Sequence, residues 1–380
     1  MCVTAFGKEC NPVKIICSKE SLMKGMNIVL RAVPSRTTMD ILKCVLLQAE
    51  DDRLRLTAND TSLGIETNIP AMISEPGSAA IEASLFSSIV RKLPDSDIVL
   101  ETDENETMKI SCDNVRFSIA GRGTDDFVYL PSIDVSSSIM ISQYTLREMI
   151  GQVIFSISDS ELNAAMSGVY MEILGDKMRM TTLDGHRISV RVSPLREEYQ
   201  PVSAIIPGKA MNDISRIITG NHDDDMKISF SSNHIMFEFD ETRVVLRLID
   251  GEYFNVSSML REENETHFRI SNRILLDCLD RSTLLINEND KKPVIMTITD
   301  EVMNLKLRSA IGTMDENIPV EKEGKDIKIA FNPKLLMDAL RAIDDETIDV
   351  YMVKYNYPCT IRNDEGTYSY VVLPVNFTEE

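Results

Sequence analysis

The stretch with the clearest chemical potential is residues 183–188, which reads Leu-Asp-Gly-His-Arg-Ile. A carboxylate, an imidazole and a guanidinium this close together are groups that general acid–base chemistry uses. An enzyme built on Asp184, His186 and Arg187 would also need a nucleophile or a metal, and the sequence shows neither. Because Asp-Gly is a strong tight-turn signal, the alternative interpretation is a simple hairpin turn. A hydrolase screen of the purified protein would distinguish the two.

Other signatures of catalysis and metal binding are missing from the sequence. The four histidines are too scattered for zinc-ligand spacing, and no phosphate-binding loop or nucleophile elbow occurs. The acidic run 223–225 lies in a polar segment, where a solvated turn is the expected structure and a metal cluster is not. The sequence therefore predicts no metal, no cofactor and no catalytic residue.

The cysteines and the hydropathy pattern bear on the cellular compartment. The seven cysteines are an odd number and form no Cys-x-x-Cys pair, which is typical of a reduced, cytoplasmic protein. No signal-like segment and no long apolar stretch occurs, so we expect neither secretion nor a membrane partner.

The elements that must position these residues recur three times. Alternating apolar and polar residues followed by a turn occur at 54–63, 178–187 and 305–314. Amphipathic helical runs end at Arg91, Arg216 and Arg341, about 125 residues apart, and such self-similarity indicates a repeated fold. We predict three repeated domains, at residues 1–136, 137–263 and 264–380.

Each repeat is predicted to hold two helices and several hairpin-linked strands. This pattern indicates an α+β fold with antiparallel sheets. Strands are expected at 168–174, 177–182 and 368–375, among others. The predicted helices are 19–33, 84–93, 143–156, 209–219, 272–285 and 333–343.

Charge is distributed unevenly between the helices and the rest of the chain. The formal net charge is −20, yet residues 18–36 hold four basic side chains and one acidic one. If the helices of all repeats lie on the same face of the protein, that face is mildly basic and binds phosphates only weakly. The alternative is an ordinary solvated helix surface.

Several short motifs resemble one known family. These are residues 183–188, Leu-Thr-Ala-Asn-Asp at 56–60, Arg-Phe-Ser-Ile at 116–119, Asp-Gly-Glu-Tyr at 250–253 and Tyr-Val-Val-Leu-Pro-Val at 370–375. With the triplication and the length, they make nearly the whole chain similar to the bacterial DNA polymerase III beta subunits, the sliding clamps.

This resemblance implies a fold and a function. Each chain would supply three clamp domains, half of a closed ring, and two chains would join head to tail as a homodimer around double-stranded DNA. The ring would be a non-catalytic processivity factor in DNA replication, because tethering a polymerase beside its template raises its effective concentration. The implied partners are the DNA polymerase III alpha subunit, the clamp loader and other proteins with a clamp-binding motif.

The resemblance also implies site residues. Arg36, Arg91 and Lys209 correspond to DNA-facing positions, while Lys24 and Arg31 fit a DNA-facing helix and a solvated one equally well. Family members bind partner peptides in an apolar pocket between the second and third domains. The matching residues here are Met166, Leu183, Gly185, His186, Arg187, Ile188, Phe254, Met259, Pro358, Val371, Val372, Leu373, Pro374 and Val375.

The dimer interface implied by the resemblance sets Phe117 and Ile119 of one chain against Leu284 and Leu285 of its partner. The alternative is that these four side chains belong to the cores of their own domains. The chain also departs from the family pattern at the pocket, where Phe254 replaces a proline, and after it, where Asn376 replaces an arginine. We therefore expect a pocket of altered shape.

A protein-interaction scaffold that never touches DNA remains the other alternative, since an acidic surface suits basic partners. Retention on circular but not on linear DNA would separate it from a clamp.

Overall fold

The computed structural model describes residues 13–159, 163–257, 259–260, 264–286 and 292–377. Every strand pair in this part of the chain is antiparallel. The predicted α+β class is therefore confirmed. The first twelve residues, with Cys2 and Cys10, and residues 261–263 lie outside the described residues.

Four of the described helices begin at residues whose side chains cap them. The Ser18 hydroxyl accepts a hydrogen bond from the Ser21 N–H, and the Asn332 side chain accepts one from the Lys334 N–H, as N-cap residues do. The helices are α1 (Lys19–Val29), α2 (Ala83–Lys92), α3 (Gln143–Gly151), α4 (Gly208–Ile217), α5 (Asn272–Thr283) and α6 (Pro333–Arg341).

Two helices, α1 and α3, end at least four residues before the predicted boundary. α1 gives way to a 3₁₀ turn at Leu30–Ala32, just before Pro34, which cannot donate to a continuing helix. α3 ends at Gly151, and another 3₁₀ turn follows at Ile154–Ser156. Glycine is a poor helix former, so the α-helix ends at Gly151 although the helical spacing of apolar residues continues beyond it.

Several of the strands alternate buried and more exposed residues. They are β1 (Lys14–Ser18), β2 (Cys44–Glu50), β3 (Arg53–Asn59), β4 (Leu63–Pro70), β5 (Met72–Glu75), β6 (Gly77–Glu82), β7 (Asp97–Thr102), β8 (Thr107–Cys112), β9 (Val115–Arg122), β10 (Ser137–Ser142), β11 (Gly168–Leu183), β12 (Arg187–Pro207), β13 (Asp225–Phe230), β14 (His234–Phe239), β15 (Thr242–Arg247), β16 (Thr266–Ser271), β17 (Val294–Thr299), β18 (Val302–Arg308), β19 (Thr313–Pro319), β20 (Glu321–Gly324), β21 (Ile327–Phe331), β22 (Thr347–Met352), β23 (Cys359–Arg362) and β24 (Tyr368–Val372).

One compact unit comprises residues up to 143 together with 217–248. Its strands form one sheet in the order β10-β13-β14-β15-β4-β3-β2-β6-β9-β8-β7-β1-β5. Strands of two repeats meet in this sheet where β4 pairs with β15, and there the hydroxyls of Thr67 and Thr242 lie 2.9 Å apart in the buried interior. The junction is therefore continuous backbone pairing with a buried polar contact.

The other compact unit comprises residues 144–216 and 249 onward. It has a seven-stranded sheet, β11-β12-β24-β23-β22-β16-β20, and a four-stranded sheet, β19-β18-β17-β21. Strands of the second and third repeats meet where β12 pairs with β24, from Arg187 opposite Val372 to Arg191 opposite Tyr368. α5 and α6 pack on an apolar core formed by the third repeat, through residues such as Leu279 and Leu340.

Three expected strand boundaries were wrong. The two strands expected at 168–174 and 177–182 are one strand, β11, because Gly175 adopts a φ of 66° and absorbs an irregularity in the pairing. The strand expected at 368–375 ends at Val372. Pro374 lacks a backbone N–H and cannot extend the ladder.

Candidate functional site

A cavity of about 550 Å³ opens in the second compact unit and is mostly apolar. Strands of the second and third repeats both contribute to its wall. Its described lining residues are Met166, Leu183, Gly185, Arg187, Ile188, Phe254, Met259, Tyr351, Val353, Asn356, Tyr357, Pro358, Thr360, Val371 and Leu373. A largely apolar cavity with a few polar groups is the usual form of a ligand-binding site.

The turn between β11 and β12 forms one edge of the cavity. The Asp184 carboxylate accepts hydrogen bonds from the backbone N–H groups of His186 and Arg187, at 2.9 and 3.1 Å. Gly185 has a φ of 86°, a conformation that side chains of L-residues rarely adopt. The Asp-Gly pair is thus a tight turn that brings Leu183 and Ile188 to the cavity side by side.

The β24 segment contributes alternate residues to the cavity. Val371 and Leu373 line it, whereas Val372 is fully buried in the core of the third repeat. Strand side chains point alternately to opposite faces, so a consecutive run cannot line one cavity. Pro374 and Val375 are not among the lining residues either, and the Val375 N–H bonds to the Ala330 carbonyl at 2.8 Å.

The His186 side chain is exposed and is not part of the lining. Its backbone carbonyl accepts a hydrogen bond from the Leu373 N–H at 2.9 Å. His186 therefore joins the turn to the segment after β24 through its backbone. The arrangement gives no support to an acid–base role, because Asp184 and Arg187 bond to each other and to the turn.

The Arg187 guanidinium is anchored by three separate segments. It donates to the Asp184 carboxylate (Nε–Oδ2 2.9 Å), to the Asp338 carboxylate of α6 (Nη1–Oδ2 2.6 Å) and to the Phe155 carbonyl. It also lies over the Phe155 ring, 5.3 Å from its centre. Arg187 thus presents a fixed surface to the cavity.

An aromatic group supports the side of the cavity that holds Phe254. Tyr253 stacks on Tyr170 with ring centres 4.7 Å apart, and its hydroxyl donates to the Thr181 carbonyl. Burial raises the pKa of the Tyr253 hydroxyl. Phe254 meets the Tyr253 ring edge to face, so it packs against a ring that is itself stacked and hydrogen-bonded.

Five lining residues escaped the sequence-based prediction, namely Tyr351, Val353, Asn356, Tyr357 and Thr360. Alternation could have indicated Tyr351 and Val353, which lie two apart in and just after β22. Tyr357 and Thr360 flank the predicted Pro358, so their proximity in sequence was a usable signal. Asn356 carried no such signal.

The five basic residues assigned to DNA are all exposed. Lys24 lies on α1, Arg31 in the 3₁₀ turn after it, Arg36 in the following loop, Arg91 near the end of α2 and Lys209 at the start of α4. Lys24, Arg36, Arg91 and Lys209 make no ion pair with another described residue, so their charges are available to a ligand. This exposure fits both interpretations of Lys24 and Arg31.

The residues assigned to the dimer interface belong to different compact units. Phe117 and Ile119 belong to β9, and 40% of Phe117 is exposed. Leu284, just after α5, is 77% exposed, whereas Leu285 packs against the core of the third repeat. Two of the four therefore present large apolar surfaces to solvent.

Within the described residues no three His, Cys, Asp or Glu side chains converge as metal ligands, and no helix is long and apolar enough to cross a membrane. The five described cysteines are buried and unpaired, and burial raises the pKa of Cys17, Cys278 and Cys359 to about 12.

Comparison with known proteins gives matches along nearly the whole chain. Family models of the DNA polymerase III beta subunit match in three parts: the N-terminal domain at residues 13–131, the central domain at 140–255 and the C-terminal domain at 257–376. A beta sliding clamp of Staphylococcus aureus is 30% identical over 368 residues, which cover 94% of this chain and 97% of the relative.

Solved structures agree with these matches. A putative DNA polymerase III beta subunit from Eubacterium rectale is 50% identical, with a TM-score of 0.93, and covers 96% of this chain and 100% of its own. The DNA polymerase sliding clamp of Bacillus subtilis is 28% identical, with the same TM-score and the same coverage. The predicted resemblance and the fold of three clamp domains are confirmed.

Proposed function

The chain belongs to the DNA polymerase III beta subunit family, the bacterial sliding clamps, and on that premise we propose that two copies close a ring around duplex DNA. The ring tethers the replicative polymerase, and the cavity of the second unit receives a peptide segment of each partner. The proposed domains are 1–136, 137–263 and 264–380. The proposal places the protein in the cytoplasm and assigns it no catalytic residue.

Ring closure is supported chiefly by the strand edges that the single chain leaves open. In each repeat one strand follows the pattern first seen at residues 54–63. In the first repeat this strand is β4, which pairs with β15, the last strand of the second repeat. In the second repeat it is β12, which pairs with β24, the last strand of the third repeat. The third equivalent strand, β19, pairs only with β18 among the described strands. The last strand of the first repeat, β9, likewise pairs over residues 115–120 only with β8.

We propose that the open edge of β19 in one chain pairs with the open edge of β9 in a second chain. Pairing of β19 with β9 of a second copy repeats the geometry of the two junctions inside the chain. Residues Phe117 and Ile119 then approach α5, which packs beside β19 through a hydrogen bond from Arg281 Nε to Glu316 Oε2 of 3.0 Å. Head-to-tail contacts of this kind close a ring when the rotation at each one returns to the start.

DNA binding is supported by exposed, unpaired cations on or near helices of an otherwise acidic chain. Lys24, Arg91 and Lys209 lie on α1, α2 and α4, and the whole chain has a formal net charge of −20. Weak phosphate contacts of this type hold DNA without reading its sequence, which permits sliding.

Peptide binding is supported by the composition of the cavity. Its apolar lining offers places for leucine- or phenylalanine-sized side chains, and such buried anchors supply most of the affinity in peptide recognition. The proposed partners are the polymerase alpha subunit, the clamp loader and other proteins that carry the same kind of segment.

Retention on circular DNA tests the proposal. Dissociated protein is allowed to reassociate in the presence of a nicked circular plasmid, passed through a gel-filtration column in high salt, and then treated with a restriction enzyme. A clamp co-elutes with the circle and is released on linearisation, because only topology resists high salt. Light scattering should give a mass twice that of the chain.

A protein that is monomeric at all accessible concentrations, or that binds linear and circular DNA alike, would contradict the ring. The interaction scaffold without DNA would then be the better hypothesis.

A further inference from the structure

We propose that Tyr351 is a specificity-determining residue of the cavity, which selects an aromatic side chain of the bound peptide, and that Arg362 is the positioning residue that holds the Tyr351 ring. The inference rests on the proposed function, since it concerns a peptide bound in that cavity.

One row of side chains crosses the seven-stranded sheet along the cavity. Ile188 of β12 lies opposite Val371 of β24, Val371 lies opposite Thr360 of β23, and Thr360 lies opposite Tyr351 of β22. All four residues line the cavity. Neighbouring strands lie about 4.8 Å apart, so the row extends about 14 Å from Ile188 to Tyr351. One side chain of a peptide cannot contact both ends, and Tyr351 therefore meets a different side chain from the one beside Ile188.

Both faces of the Tyr351 ring are covered by neighbouring side chains. His267 of β16 lies opposite Tyr351, and its imidazole stacks on the ring with the two centres 4.7 Å apart and the planes inclined by 16°. The Arg362 guanidinium of β23 lies over the ring, 4.5 Å from its centre. Because β16 and β23 flank β22 on opposite sides, the ring is held between these two groups. The ring can therefore present only its edge and its hydroxyl to the cavity.

The imidazole that supports the ring is itself fixed by a carboxylate. His267 Nε2 donates to Asp349 Oδ1 at 2.8 Å, and Arg269 donates to both Asp349 oxygens at 3.1 and 2.9 Å. The Asp349 side chain is 13% exposed, so these bonds are shielded from much of the solvent. Tyr351 is thus ordered before a peptide arrives, and binding need not pay for fixing its ring.

A ring held in this way favours an aromatic partner. The edge of an aromatic ring carries partial positive charge and its face partial negative charge, so two rings attract each other edge to face. A cation over one face draws electron density towards itself and makes the ring edge more positive. Arg362 is not among the described lining residues, so its charge acts on the peptide through Tyr351. The face of a phenylalanine gains from this contact, whereas a saturated ring of similar shape does not.

The experiment uses short fluorescein-labelled peptides built on serine, and anisotropy measures their binding to the full-length protein. Each peptide carries one leucine for the Ile188 end of the row. An extended chain advances about 3.3 Å per residue, so the second anchor is placed about four residues before or after the leucine. This anchor is either phenylalanine or cyclohexylalanine, and the better-bound of the two directions is used for the comparison.

The variants are Tyr351→Leu, Arg362→Gln and Arg362→Lys. Tyr355→Leu is the matched control for the tyrosine, because Tyr355 is 64% exposed and does not line the cavity. Arg308→Gln is the control for the arginine, because Arg308 lies exposed on β18 and outside the lining. The quantity compared is the ratio of the two dissociation constants, which cancels the difference in hydrophobicity between the two anchors.

Tyr351→Leu should lower the preference for phenylalanine about fivefold, the size expected for one edge-to-face contact. Arg362→Gln should lower it about twofold, and Arg362→Lys should return it towards the wild-type value because a cation remains over the ring. Both controls should match the wild type, and thermal melting of each variant shows that it is folded.

A ratio in Tyr351→Leu equal to that in Tyr355→Leu would overturn the inference. Equal weakening of both peptides would do the same, because a purely structural role lowers both affinities without changing their ratio. Arg362→Gln with the ratio of Arg308→Gln would refute the positioning role of Arg362. Wild-type protein that binds none of the peptides would instead contradict the proposed peptide-binding function, and the inference with it.

Discussion

Phe254 is the cavity residue at which we expect this chain to depart from the family pattern. The ring contacts Tyr253 edge to face, and Tyr253 is itself stacked on Tyr170. A proline at this position would fill less space and could not make an aromatic contact. Phe254 therefore gives the cavity an aromatic wall with a rigid support behind it.

Phe254→Ala should weaken binding of an uncharged apolar peptide about tenfold, because aromatic anchors in such sites commonly contribute more than 1 kcal/mol. Fluorescence anisotropy measures the change. Tyr355→Ala is the matched control, since Tyr355 is 64% exposed and does not line the cavity. Equal affinities for the wild type and Phe254→Ala would show that the aromatic wall contributes nothing.

The sequence predicted the residues that line the cavity with uneven success. The segment 183–188 was informative because its turn places both ends of the segment at one edge of the cavity. The run 371–375 was misleading, since alternation removes Val372 from the cavity and Pro374 ends the ladder. Tyr351 and Val353 come from a strand that only the three-dimensional sheet brings beside β24, through β23.

At the scale of elements, the β11–β12 turn depends on one backbone conformation. Gly185 has a φ of 86° and nothing within 4 Å of the place a Cβ would occupy. Backbone strain, with no steric clash, is therefore the expected cost of a substitution there.

Gly185→Ala should lower the free energy of unfolding by about 1 kcal/mol and should also weaken peptide binding, because the turn forms one edge of the cavity. Gly366→Ala is a close control, with a φ of 68° and the same open surroundings, but outside the lining. Urea unfolding and anisotropy measure the two effects. If both variants lose the same stability and the same peptide affinity, the turn has no specific role at the cavity.

The basic helices make a prediction of their own. Combining Lys24→Ala, Arg36→Ala and Arg91→Ala should weaken DNA binding and reduce the slope of log affinity against log salt by about 0.9 for each phosphate that the variant no longer neutralises. The control combines Lys109→Ala, Arg243→Ala and Lys306→Ala, which lie exposed on strands. A control triple with the larger effect would place the DNA on a different surface.

Helix positions were easier to predict than helix ends. The starts of α2, α4 and α6 recur at a constant interval, at Ala83, Gly208 and Pro333, and the amphipathic period located each of them. The ends of α1 and α3 were not predicted, because 3₁₀ turns continue the apolar pattern after the α-helix stops. Short strands such as β5 carry little alternation and gave no signal.

At the scale of the molecule, the apolar surface at Leu284 is the most direct test of assembly. Leu284→Ala with Leu285→Ala should convert the proposed dimer to a monomer, since both residues directly follow α5, the helix that packs beside the open edge strand β19. Leu284→Glu alone keeps Leu285 in the core and should act in the same direction. Sedimentation at low concentration measures the mass.

Met72→Ala is the control for that experiment, because Met72 is another large apolar residue that is mostly exposed. Both Leu284 variants remaining dimeric at low concentration, with unchanged thermal melting, would refute the assigned interface.

The triplication was the part of the fold most open to prediction, because a repeated pattern needs no knowledge of tertiary contacts. The pairing partners of the edge strands were not predictable in the same way. The choice of β15 as the partner of β4 depends on how successive repeats meet, which no local pattern encodes.

The two sheet junctions within the chain also determine how the proposed ring would come apart. The partners at β4–β15 and β12–β24 are tethered by the polypeptide, so a broken junction reforms without a search in solution. The two proposed β9–β19 boundaries join different chains, so once both have separated their recombination slows as the protein is diluted. Opening should therefore occur at these boundaries alone, and the lifetime of a ring in dilute solution should depend on the rate at which one strand edge separates from the other.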